Sequence, residues 1–477
     1  MIKKIKKHKF GAFLNNNSLP MKIKYTIKSL LLVSFICLTS LSFGQNSVVS
    51  QKRTPSGKIR CYTNEYEQYL QAKDPQRETR EEFEKWIAPK IAEANLNTTN
   101  RNVNAVIYIP VVIHIIHNGD ALGANENITD AQALSQITVL NQDFRKMLAT
   151  PGYNTNPVGA DMEIQFVMAQ RKPDNVTATN GIDRVQKTTA SYASMTSVET
   201  LKSQTSWDPT KYFNIWTVFF SNTSSAEMYG TLGYAQFPSS SGLSGLNANE
   251  GAANTDGLVV DYRCFGTAAI APGPYFSGYD GGRTATHEIG HCFGLLHIWG
   301  DGTGVESTNT PDCTATDYCA DTPQAGWEHY TCGTFNTCPS VPGNDMPENY
   351  MDYTPDSCMN IFTLNQKGRV ATVMAICPRR ATLATSNAAT PLGITDFEFN
   401  SIRIYPNPTH DLLNISLKGA ELPNSIIIYN ALSQVVLSKN VSNTNDLIVN
   451  TSSYSNGIYF IKVIKDGASK MVRFIKE

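Results

Sequence analysis

Three histidines and a glutamate share one short stretch, His287-Glu288-Ile289-Gly290-His291-Cys292-Phe293-Gly294-Leu295-Leu296-His297. On a helix, residues four apart lie on one face, so His287 and His291 can present their imidazoles to a single ion. Glu288 then stands beside that ion without ligating it. Gly294 can take the left-handed backbone turn that ends such a helix. The turn would bring His297 round as a third ligand. Three protein ligands suit a zinc ion that keeps a fourth position open for water. The chemistry implied is hydrolysis, with Glu288 as general base.

The elements that must position these residues are legible in outline. Thr284 to Leu296 reads as the helix that carries the histidines. Val106 to His117 is rich in Val and Ile and suits a buried strand. Thr129 and Gln132 start a helix whose face is Leu134, Ile137, Leu140 and Phe144. Ile164, Phe166 and Met168 alternate as in a strand, and Tyr212–Phe220, Leu232–Phe237 and Gly257–Asp261 read as further strands. Thr363 and Gln366 cap a helix running to about Met374. Mixed strands and helices in this order predict an α/β layer structure. Residues 301–347, rich in Gly, Asp, Thr, Pro and Cys, read as loops. From Phe397 onward the pattern is short strands and turns, which predicts a small β-sandwich.

The chain has 477 residues, enough for a large catalytic core with accessories. Its 40 basic and 41 acidic residues balance to a formal charge of −1, so nucleic acid is not an expected partner. Lys22, Lys24 and Lys28 precede the apolar run Leu30–Leu41, and Ser42 to Gly44 supply small residues. Residues 1–44 therefore read as an export signal, with Met21 a possible true start. No other stretch reaches membrane-spanning length. Ten cysteines occur. Cys37 falls in the signal, and eight lie between Cys264 and Cys377, where an oxidising environment makes them disulfide material. Cys61 stands alone. Residues 45–100 are charged and helix-like, with too little apolar material for a core of their own.

The extended histidine motif is the metzincin signature when a methionine turn follows, and Asn349-Tyr350-Met351-Asp352-Tyr353 supplies one. Over about Ile109 to Ile376 the chain resembles the pappalysin family of metzincin proteases, in its ulilysin-like and mirolysin-like branches. The resemblance rests on the zinc motif, Gly233-Tyr234-Ala235 with Phe237-Pro238, Asp321-Thr322-Pro323, and the run from Pro347 to Thr363. It implies a zincin-like catalytic domain, a twisted mixed sheet plus the zinc-binding helix. It implies that Met351 floors the zinc, that the Tyr353 hydroxyl stabilises the oxyanion, and that Asp356 lies at the base of the pocket after the scissile bond. A carboxylate there would pair with arginine, giving cleavage before Arg with Lys weaker. Asp317, Asp321 and Thr322 lie where the family binds structural calcium. Leu232 to Phe237 is the expected edge strand for an extended substrate. Cys61, in Arg60-Cys61, is similar to the pro-segment cysteine whose thiolate takes the water's place on zinc; Tyr62 stands where the family usually has glycine. A cut before Arg101 would fit self-activation.

A second resemblance lies at the C-terminus. Ile404-Tyr405-Pro406-Asn407-Pro408, Asp411, Gly457-Ile458-Tyr459-Phe460 and Lys470 to Lys476 look like a type IX secretion sorting domain. The expected organisation is a signal region (1–44), a pro-segment (45–100), a catalytic domain (101–380), a linker (381–395) and a β-sandwich (396–477). The reading is a secreted or cell-surface zinc endopeptidase, made latent and exported through the periplasm. It would act on protein or peptide substrates and be sorted by the type IX machinery. The alternative is a surface adhesin or binding module whose protease-like domain is inert. The intact set His287, Glu288, His291, His297, Met351 and Tyr353 speaks against it.

Overall fold

A computed structural model describes residues 52–96, 106–238, 252–391, 402–417, 422–432, 434–465 and 468–477. The signal region, with Met21 and Cys37, and the expected cut before Arg101 lie outside the described residues.

Two helices come first, α1 (Thr63–Lys73) and α2 (Arg80–Leu96). The catalytic layers follow: β1 (Ile107–His117), α3 (Asp130–Phe144), β2 (Ile164–Met168), β3 (Ile182–Gln186), α4 (Met195–Thr205), β4 (Phe213–Val218), β5 (Gly233–Ala235), β6 (Leu258–Asp261) and α5 (Arg283–Cys292). Beyond the loops lie α6 (Leu364–Ile376) and α7 (Pro378–Leu383). The sheet runs β2-β1-β4-β6-β5, with β3 continuing on β2's side of β1. All its pairings are parallel except β5 on β6, so the sheet is mixed, as expected. The β1 run is buried along nearly its whole length, which is why it reads as continuous Val and Ile rather than alternating.

Helices α3 and α5 share a large core with the sheet, including Ile137, Leu140 and Phe144 from α3 and Ile289 from α5. Both N-caps read from the sequence are present. Thr129 Oγ1 accepts from Gln132 N, and Thr363 with Gln366 forms a complete capping box. Helix α4 and strand β3 were not expected. Helix α4 opens on a Ser194–Ser197 capping box in place of Ser with Glu, and β3 is only half-buried.

Two expectations need correction. Of the eight clustered cysteines, four are paired, Cys313–Cys338 and Cys332–Cys358, both within the loop region. Cys264, Cys292 and Cys319 are buried thiols, with Cys264 and Cys292 packed in the main core as small hydrophobes. The linker expected at 381–395 is packed against the catalytic layers as far as it is described. Leu383 and Ala388 are buried, and Gln170 N donates to Ala388 O at 2.8 Å.

The C-terminal strands are β7 (Arg403–Tyr405), β8 (Leu412–Ser416), β9 (Ser425–Asn430), β10 (Val435–Asn440), β11 (Ile448–Asn450), β12 (Gly457–Lys465) and β13 (Ala468–Lys476). They form two antiparallel sheets, β11-β8-β7 and β10-β9-β12-β13. Leu413, Ile415, Ile426, Ile428, Ile461, Val463 and Phe474 fill the core of this β-sandwich. Only β11, three residues long, escaped the sequence reading. Among the described residues no helix is long and apolar enough to cross a membrane.

Candidate active site and metal centre

Helix α5 starts at Gly282, whose φ of 78° is left-handed, and runs fully buried. Its Gly290 lies directly over Met351; a Cβ there would stand 2.3 Å from the Met351 sulfur. The helix ends at Cys292, short of the expected Leu296, because the glycine turn comes first. Gly294 has φ +88°, and Leu295 N donates back to Gly290 O at 2.9 Å. The chain then turns, and His297 faces the two helical histidines.

The three Nε2 atoms converge. His287 lies 3.2 Å from both His291 and His297, and His291 lies 3.0 Å from His297. Each opposite ring nitrogen is engaged: His287 Nδ1 with Tyr350 O at 2.7 Å, His291 Nδ1 with Leu295 O at 2.8 Å, and His297 Nδ1 with Asp301. Donation from Nδ1 to these acceptors leaves the Nε2 lone pairs facing one another. Burial, then neighbouring histidines, hold His287 and His291 well below the usual imidazole range. Three facing lone pairs with no proton to share need a cation. Tetrahedral zinc with bonds of about 2.0–2.1 Å would hold such nitrogens roughly 3.3 Å apart. The residues fit zinc.

Cys61 completes the cluster. Its Sγ and the three histidine nitrogens all lie within 4.8 Å of one another. The neighbouring carboxylate is Glu288: Oε2 accepts from Thr63 Oγ1 at 2.9 Å and contacts Cys61 Sγ at 3.4 Å, while Oε1 is buried without a partner. Burial pushes the Glu288 carboxyl up to about 8; a bound cation would act in the opposite direction. Tyr353 stands over the same point, with ring centroids 4.8 Å from His297 and 5.8 Å from His287.

Asp356 is buried at the start of the zinc helix. Its Oδ2 accepts from Gly281 N and Arg283 N at 3.0 and 3.1 Å. Its Oδ1 meets the Arg60 guanidinium at 3.0 Å, and both side chains are almost fully buried. Arg60 also donates to Thr284 Oγ1 and lies against Met359 and the Tyr279 ring. The expected edge, Leu232 to Phe237, is covered by the same stretch of chain. Ile59 O accepts from Leu232 N, Tyr62 N donates to Gly233 O, and Thr63 Oγ1 accepts from Ala235 N, all at 2.9 Å.

Asp317 and Thr322 meet at 2.7 Å, with Cys319 N also donating to Asp317, whose carboxyl burial raises to about 7. Asp321 instead accepts from Thr363 Oγ1 and Asn365 N at the N-terminus of α6. Three residues of the site had no signal in the sequence. Thr63 and Asp301 join it through contacts distant in the chain or through a loop turn. His329 is clamped between Asp352 (2.6 Å) and Asp345 (3.0 Å), immediately behind the methionine turn. His114 is a core residue, between Asp183 and Asn214 and stacked on Trp216.

Comparison with known proteins decides the family. The pregnancy-associated plasma protein-A family matches residues 197–375. An extracellular metalloprotease of Arthroderma otae is 30% identical over 61% of this chain and 85% of its own length. The chain belongs to the pappalysin family. Another relative, an extracellular metalloprotease of Arthroderma benhamiae, is 26% identical over 70% of this chain and 95% of its own. A solved structure of a promirolysin mutant from Tannerella forsythia is 33% identical, covers 68% of this chain and 97% of that one, and gives a TM-score of 0.52. A secretion system C-terminal sorting domain matches residues 403–477. This pappalysin is thus a zinc metalloendopeptidase that acts on protein substrates, is secreted or held at the cell surface, and carries a type IX sorting domain.

Proposed function

We propose that the chain is a latent endopeptidase that, once its N-terminal segment is removed, cuts proteins before Arg and, less well, before Lys. The observation that carries this reading is the placement of Arg60-Cys61: the thiol beside the three histidines and the guanidinium on Asp356. The segment fills the cleft in the opposite chain direction to a substrate cut before Arg, since Arg60 precedes Cys61, yet it sets an arginine in the pocket that a substrate arginine would enter. Asp356 offers Arg60 a buried carboxylate, and a Lys ammonium lacks the planar fork that would match it.

His287, His291 and His297 would hold the zinc. When bound, the ion polarises the scissile carbonyl and acidifies the attacking water. Glu288 takes the proton of that water and passes it to the leaving amine. The Tyr353 hydroxyl donates to the developing oxyanion. Gly233 O, which Tyr62 N now occupies, and Ala235 N, which Thr63 occupies, are the backbone groups that would align an extended substrate. Met351 floors the histidines, and Gly294 brings His297 into place. Removal of the segment uncovers all of these together, and a cut before Arg101 would match the enzyme's own preference.

The desolvated Asp317 carboxylate, with Thr322 beside it and Asp321 nearby in sequence, is the basis for keeping a structural calcium in the reading. Residues 1–44 would act as the export signal through the periplasm.

The test is maturation of the full chain. Purified wild-type protein should hold zinc, show a lag, lose its N-terminal segment and then gain activity. Cys61→Ser should shorten the lag without changing the processed enzyme. Full activity with the segment attached would overturn latency.

A further inference from the structure

The third ligand is held differently from the first two. His287 and His291 donate to backbone carbonyls, whereas His297 donates to a carboxylate, Asp301. That carboxylate is not placed by the helix. It lies one turn beyond His297, where Gly300 N donates to His297 O, and Asp301 itself has a left-handed φ of 58°. A non-glycine residue in that region is uncommon and persists where surrounding contacts hold it. The contacts come from the N-terminal helices. Asn64 Nδ2 donates to Asp301 Oδ1 at 2.8 Å, Arg80 pairs with Oδ2, and Arg80 also donates to Asn64 Oδ1 at 2.7 Å. On the other side Trp299 stacks on the His297 ring at 4.4 Å, so the imidazole can turn little.

We propose that Asp301 is the positioning residue of the third zinc ligand, and that Arg80 and Asn64 grip the metal centre through it, as a second lock separate from Cys61. Cys61 acts at the ion itself. Arg80 acts one shell out, on the carboxylate that fixes His297's tautomer and ring plane. Both halves of the N-terminal segment, α1 through Asn64 and α2 through Arg80, therefore close on one carboxylate. Loss of the segment would leave Asp301 with His297 alone. The lock rests on the latency reading above; the positioning role of Asp301 does not.

Two measurements on the full chain test this. The first is release of bound zinc to EDTA, followed with a colorimetric zinc indicator. Asp301→Asn keeps the side chain's shape and tolerates the left-handed backbone, and it should release zinc roughly 10–100-fold faster than wild type. Asp301→Gly, which relieves the backbone instead, should be at least as fast. Zinc release at the wild-type rate from both would overturn the positioning role. The second is the lag before activity. Arg80→Leu in a Cys61→Ser chain should shorten the lag roughly tenfold beyond Cys61→Ser alone, and the processed enzymes should be indistinguishable, since Arg80 leaves with the segment. A double variant with the lag of the single one would overturn the lock while leaving latency intact. No lag in any chain would overturn latency and the lock together, and zinc release would still judge Asp301.

Discussion

Glu288 is enclosed in this chain: Thr63 and Cys61 contact one oxygen, and the other has no hydrogen-bond partner. The role of general base proposed for Glu288 predicts that Glu288→Gln lowers kcat in the processed enzyme about 10²–10⁴-fold, with zinc content unchanged by elemental analysis. The Tyr353 ring stands edge-on to His297, and its hydroxyl is proposed to donate to the oxyanion. Tyr353→Phe should therefore lower kcat by about 10²-fold or more, with little change in KM. An effect confined to KM would place the hydroxyl in ground-state binding. At this scale the sequence spoke clearly only where partners are local. The spacing of His287, His291, Gly294 and His297 is a property of one helix and its turn. Arg60 on Asp356, Thr63 on Glu288 and Arg80 on Asp301 are contacts across hundreds of residues, and no pattern in either partner's neighbourhood announces them.

Among the elements, the zinc helix shows how packing rather than propensity fixes a sequence. Gly290 is mid-helix, where glycine costs about 1 kcal/mol relative to alanine, yet Met351 leaves no room for a Cβ. Gly290→Ala should thus destabilise by about 1–3 kcal/mol, read as a lower urea midpoint at constant slope. The methionine turn has its own support. His329 sits buried between Asp345 and Asp352, and Asp352 also accepts from His329 N and Tyr353 N. Burial would lower the imidazole, but the two carboxylates outweigh it and raise His329 to about 10. A group raised in the folded state stabilises most below its unfolded value, and the contribution is lost as pH rises through the folded one. Stability from this clamp should be full below about pH 6.5 and fall progressively up to about 10, whereas His329→Ala, which leaves two buried carboxylates facing a void, should cost about 3–5 kcal/mol and flatten that part of the profile. Unchanged pH dependence in the variant would contradict it. Helix α4 was missed because its capping box uses Ser197 where the usual pattern has Glu or Gln. The strands missed were short or half-buried, because periodicity needs length and burial to show.

At the scale of the whole molecule, the N-terminal segment is part of the catalytic unit's interior. Ile59, Tyr62, Tyr66 and Leu70 pack with Met195, Val198 and Tyr234, and Phe83 and Ile87 pack with Phe237, Leu296 and Val373. Buried polar ties join it as well, with Glu84 on Arg369 and Tyr66 on Glu199 at 2.8 Å. The sequence showed this segment to be charged and unable to form a core alone, and left open that its few apolar residues complete cores belonging to other elements. Its removal should lower the melting temperature of the processed enzyme below that of the full chain in calorimetry, since each fully buried apolar side chain contributes about 1.5–3 kcal/mol. An unchanged melting temperature would mean that the segment contributes nothing to the folded unit.

The most direct test of the account is a map of cleavage sites. Processed enzyme would be incubated with a mixed peptide library, with and without a zinc chelator, and the products sequenced by mass spectrometry. Cuts before Arg, fewer before Lys, and none with chelator are the predicted result, and Asp356→Asn should abolish the Arg preference while cleavage persists. Chelator-sensitive cuts with no preference for Arg would remove Asp356 and Arg60 from the account, and no cleavage by zinc-loaded, processed protein would contradict it.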